Sequence, residues 1–168
     1  CHSYGAVFGQ TGDQSKTGGF IGLFGNTHSG GFIINSSANG NVSGGNWVGG
    51  FIGYNQGANI SNSYATGNVS GGYQGYTGGF IGLDESDEEK YNYIYATGKV
   101  ISSGQRYVGG LIGQVSNNGV KSINNSYSTG EVIHSHGASE NTGGLIGLNS
   151  RANISNSYAT GNVSGDYR

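Results

Sequence analysis

Along residues 60–69 small and large side chains alternate. Ser63 and Ala65 fall on one face of an extended chain, and Tyr64, Thr66 and Asn68 on the other. Small residues return at the Ala65 phase as Ala96, Ser128 and Ala159, which points this face into a narrow interior. Apolar bulk enters elsewhere, at Ile60, at Val69 and in the pairs Phe20–Ile21, Phe51–Ile52, Phe80–Ile81, Leu111–Ile112 and Leu145–Ile146. One member of each pair faces outward in an ideal strand; the flanking glycines offer a turn that would bury both. The apolar runs are short and bounded by glycine, asparagine and serine, so they predict short strands rather than helices.

These segments recur. GGFIG stands at 18–22, 49–53 and 78–82, and GGLIG at 109–113 and 143–147, with successive starts 31, 29, 31 and 34 residues apart. Between them lie graded copies of a second phrase, the clearest being ISNSYATGNVSG, identical at 60–71 and 154–165. HSYGAVFG, from His2, reads as a degenerate copy that puts Tyr4 in phase with Tyr64. A unit of this length with two or three short strands cannot bury its own apolar face, but stacked units can. The expected fold is all-β, a parallel β-solenoid of about five and a half coils. Residues 1–168 form one repeat domain, with coils beginning near 18, 49, 78, 109 and 143 and with 1–17 as a degenerate half-coil. The recurring glycine pair marks a corner that needs either φ > 0 or close coil-to-coil approach. Identical coils stack because identical side chains form ladders at the β spacing.

Composition narrows the function. Of 168 residues 36 are glycine, none is proline or methionine, and only 10% are charged, with net charge −2. That leaves no basic footprint for nucleic acid, and no apolar run is long enough for a transmembrane segment. The single Cys1 excludes an internal disulfide framework and is a candidate for an intermolecular disulfide or for lipidation. No capping helix or charged terminal coil closes the sequence at Asp166-Tyr167-Arg168, so self-association, head-to-tail or lateral, is the expected partnership.

GG[FL]IG followed by NSYATGNVSG resembles the GLUG motif, a short repeat of bacterial and archaeal surface proteins. Those include large adhesins, haemagglutinin-like proteins and the stalks of immunoglobulin-cleaving metallopeptidases. The resemblance covers nearly the whole chain, most weakly over 1–17. It implies an extracellular, cell-surface β-solenoid. It brings no catalytic residues, and the HExxH zinc motif of the peptidase members is missing.

Catalytic and metal chemistry finds little to work with. Asp84-Glu85-Ser86-Asp87-Glu88-Glu89 holds five of the nine acidic residues, and its spacing fits no EF-hand, so it is expected as a solvated loop. His134 and His136 share a strand face, but Cys1 and Glu140 are only arithmetic third ligands, and His2 and His28 stand alone. No G-x-S-x-G elbow occurs. The expectation is a non-enzymatic protein with no cofactor and no catalytic or metal site. Two features recur along the chain. Tyr4, Tyr64, Tyr95, Tyr127 and Tyr158 form a candidate strip for glycan or lateral contact. Asn35, Asn41, Asn59, Asn68, Asn124, Asn153 and Asn162 open N-x-[ST] sequons, candidates for N-glycosylation. The function these readings favour is a surface stalk or adhesin segment, or a filament subunit. The alternative is a carbohydrate-binding module that uses the exposed tyrosines against a glycan or host surface.

Overall fold

The computed structural model describes residues 1–25, 31–72, 74–135 and 141–165. Its strands lie in four sheets of nine, six, five and five strands. One turn shows the order: Trp47–Gly49, Ile52–Asn55, Ala58–Ala65 and Val69–Gly71, after which Tyr76–Gly78 lands beside Trp47–Gly49. Each strand pairs in parallel with its counterpart one coil on, as in Ile52↔Ile81, Ile60↔Tyr91 and Val69↔Val100. The chain is therefore an all-β solenoid of about five turns, as its periodicity predicts.

Two apolar columns run along the axis. One collects the Phe–Ile pairs with Ile60, Ala65 and Ile123. The other collects valines 42, 48, 69, 100, 108 and 132. Phe51 and Ile52 are both fully buried. The strand starts only at Ile52, so Phe51 sits in the preceding turn and escapes the alternation. Its ring stacks on Phe20 and Phe80 at 4.7 and 4.6 Å.

The glycine pairs serve close approach and not left-handed backbone, since no glycine of a pair has positive φ. A Cβ on Gly50 would stand 2.1 Å from the Gly79 carbonyl oxygen of the next coil, and one on Gly79 2.1 Å from that of Gly110. Asparagine takes the left-handed positions instead: Asn35, Asn62, Asn125 and Asn156 have φ between 48° and 52°. The serine that follows repairs the ladder where this bend interrupts it. Ser63 Oγ accepts the Ser36 amide of the coil below and donates to the Ser61 carbonyl. In TGN the glycine again lets coils approach, a Cβ on Gly67 falling 2.0 Å from the Gly40 carbonyl oxygen. The asparagine bridges coils, Asn41 Oδ1 accepting the Asn68 amide and Asn68 Oδ1 the Lys99 amide. The duplicated phrase is thus a set of coil-to-coil connectors.

Candidate functional site

Four of the five tyrosines of the expected strip form one stacked file. Ring centroids of Tyr64–Tyr95, Tyr95–Tyr127 and Tyr127–Tyr158 are 4.8, 4.8 and 5.1 Å apart, with planes within 5° of parallel. Alternation turns them outward: Ser63 and Ala65 on either side of Tyr64 are buried. Tyr4 does not belong to the file. Strand pairing sets His2 opposite Ser37 and Ser37 opposite Tyr64, so His2 holds the tyrosine phase in the first coil. Tyr4 lies two residues further on, at the phase of Asn39 and Thr66. The Gly5-Ala6-Val7 run, which matches GNV, decides this register over the shared Ser-Tyr pair.

Beside the file runs the left-handed position of each coil, and there the third coil departs from the repeat. Tyr93 stands where the others have asparagine, at φ 54°. A bulky residue in this conformation costs about 1 kcal/mol. Its ring is 55% exposed and, among the described residues, stacks on no other ring. Tyr93 forms one wall of a groove of about 340 Å³, whose remaining lining is Asn62, Tyr64, Tyr95, Asn125 and Tyr127.

The family model of the GLUG motif matches residues 44–70 and 138–164. The chain carries GLUG repeats. No curated protein and no solved structure matches it. Each matched GLUG segment spans one turn of the solenoid, from the sheet that contains Trp47–Gly49 to the strand that begins at Val69 or Val163.

A second aromatic strip escapes a reading centred on the Ser-Tyr phrase. Lys16, Trp47 and Tyr76 are in register on one sheet, and Tyr107 follows them. Lys16 Nζ lies 4.5 Å from the Trp47 ring centroid, and the Arg106 guanidinium lies 5.5 Å from that of Tyr76. These four residues stand two positions before the first four glycine pairs, where the fifth has Asn141.

The acidic stretch corrects its expected role. Asp87 and Glu88 are exposed, but Asp84, Ser86 and Glu89 are buried. The insertion in the next GLUG unit, residues 116–120, packs directly upon them. Ser116 N donates to the Asp84 carbonyl at 2.9 Å, Asn118 Nδ2 to the Glu85 carbonyl at 3.3 Å, and Gly119 at φ +63° fits against Asp87. Lys121 is buried in the same corner, one coil above Glu89, and its ammonium donates to the carbonyls of Ser116 and Asn118. Burial pushes the Asp84 carboxyl up to about 6, against the opposing pull of the Ser86 hydroxyl bond and the Lys121 charge. Asp84 Oδ2, Glu89 Oε2 and Ser116 Oγ have no hydrogen-bond partner. Lys121 supplies the positive charge here, so the corner is not built as a cation cage.

Of the histidine pair only His134 lies among the described residues. His134 is buried and uses both ring nitrogens, Nδ1 with Thr142 Oγ1 and Nε2 with the Gly104 carbonyl, each at 2.7 Å. His28, His136, Glu140 and residues 166–168 lie outside the described residues. His2 Nδ1 meets Ser37 Oγ at 2.8 Å. Cys1 is exposed and free. Among the sequons, Asn35, Asn41, Asn68, Asn153 and Asn162 are exposed, while Asn59 and Asn124 are half-buried and accept hydrogen bonds from the next coil.

Proposed function

We propose that this chain is a non-enzymatic structural element of an extracellular surface protein, a stalk or adhesin segment that lengthens by stacking further coils. The observation that carries the reading lies in the glycines. At Gly40, Gly67, Gly98, Gly130 and Gly161 a Cβ would meet the carbonyl of the coil below at 2.1 Å or less. Gly5 keeps that phase although nothing stands within 4 Å of it. Gly144 likewise keeps the phase of Gly50 and Gly79, and a Cβ there would meet only Ala159 and Val163 side chains. Gly5 and Gly144 thus keep the small residue that close approach of another coil needs, and head-to-tail contact between copies would supply such a coil. The GLUG resemblance supports the surface location, and Cys1 and the exposed sequons fit an extracellular setting.

The alternative, sugar bound along the tyrosine strip, is weakened by the file itself. Its ring faces are turned to one another, and only edges reach solvent between its ends.

Negative-stain microscopy of the purified chain tests the stacking. Rods should lengthen with concentration, and Gly5→Ala with Gly144→Ala should abolish lengthening while circular dichroism and melting stay unchanged. Particles of single-chain length at every concentration, or rods indifferent to the substitutions, would overturn self-stacking. A parallel sample with reductant reads whether Cys1 links the copies.

A further inference from the structure

We infer that the groove beside Tyr93 binds one neutral sugar ring of a glycan chain, with the ring stacked on the Tyr93 face. The first ground is the substitution itself. Every other coil places asparagine at the left-handed bend, where it is tolerated, and the third coil places tyrosine there at φ 54°. That ring stays more than half exposed and is unstacked among the described residues. It is also the one ring of this groove that stacks on no other ring among the described residues. Tyr95 and Tyr127 are covered on both sides by neighbours, and Tyr64 is covered by Tyr95 on one.

The lining sets the class of ligand. None of the six residues is charged, so nothing there selects an acidic or basic group. Phenol rings give apolar contact, while phenol hydroxyls and carboxamides give hydrogen bonds, the mixture that suits a pyranose with its C–H faces and rim of hydroxyls. Asn125 donates from Nδ2 to Asn92 Oδ1 at 2.9 Å, which leaves its carbonyl oxygen for a ligand hydroxyl. A volume near 340 Å³ is at the small end of ligand sites, room for a single ring with the rest of the chain outside. An extended peptide has no edge to join, because Ala58–Ala65 and Lys90–Ala96 are both paired on each side. The inference rests on the proposed surface role only for where such glycans would be met.

The test is saturation-transfer NMR on the 168-residue chain with neutral hexasaccharides of glucose, mannose, galactose and N-acetylglucosamine, and with oligogalacturonate as the acidic counterpart. At least one neutral probe should receive saturation. Tyr93→Asn, which restores the repeat residue, should weaken its binding about tenfold, while Tyr93→Phe should hold it within a few-fold. Circular dichroism confirms that both variants fold. No transfer to any neutral probe, equal binding by Tyr93→Asn, or a response to the acidic probe alone would overturn the assignment. Self-association lost in Tyr93→Asn would reassign the groove to a second copy. Glycan binding and rod formation are read separately, so failure of one leaves the other standing.

Discussion

Between Asn55 and Ala58 the chain turns from one sheet to the next in two intervening residues, and the asparagine side chain closes the turn. Its Oδ1 accepts the Ala58 amide at 3.0 Å and its Nδ2 donates to the Ala58 carbonyl at 3.2 Å. Asn149 and Ala152 repeat the arrangement. One coil above Asn55, the same corner runs from Asp84 to Glu89, and in the next from Val115 to Lys121. The short corner is closed from within its own turn, with one further bond from Asn55 Nδ2 to the Tyr91 hydroxyl of the next coil at 2.7 Å. The long corners close partly within themselves and partly against each other, through the Ser116 amide on the Asp84 carbonyl and Asn118 Nδ2 on the Glu85 carbonyl. They bury two carboxyl groups, one ammonium and three unpartnered oxygens in doing so. A repeat corner needs a single carboxamide to close, whereas an insertion adds contacts with the insertion one coil away and carries the cost of its charges.

The largest effect should come from removing the one cation buried among the described residues, Lys121. Lys121→Ala removes the charge that pulls on Asp84 and the donor to the Ser116 and Asn118 carbonyls, and should cost about 3–5 kcal/mol; urea unfolding reads it, and a change below 1 kcal/mol would mean the corner is wet.

Converting the long corner toward the short one should act the other way. The carboxyl of Asp84 is raised from 3.8 to about 6, so between those values the folded chain holds more protons than the unfolded one. Stability therefore falls as pH rises through about 4 to 6, and the full penalty of about 3 kcal/mol stands above pH 6. Asp84→Asn, the residue of the short corners, should raise the melting temperature at pH 7.5 and leave it nearly unchanged at pH 4. A loss of stability at pH 7.5 would sink the account.

The smallest effect belongs to the third coil's other departure from the repeat. Tyr93→Asn should stabilise the fold by about 1 kcal/mol through relief of the left-handed bend, measured by the same denaturation series.

Much of this was legible in advance where the cause is local. The period, the strand class, and the inward Ser63 and Ala65 against the outward Tyr64 follow from alternation and from phrases repeated in order. The left-handed asparagines were hidden in plain view, since asparagine also marks ordinary turns. The alignment of Tyr4 went astray because a two-letter match was preferred to the GNV-like run beside it. The acidic stretch was misread for a different reason: five acidic residues in six look solvated until a second insertion is known to lie on top of them.

By itself, then, the sequence determined the coil and the face each ladder residue presents, because a two-residue side-chain period and a 31-residue repeat are properties of consecutive residues. Tertiary structure alone decided what happens between coils. It turned the tyrosine faces toward one another, left Tyr93 as the unstacked ring, and sealed Asp84, Glu89 and Lys121 in one corner. Each of these depends on which residue stands one coil away, some thirty positions along the chain.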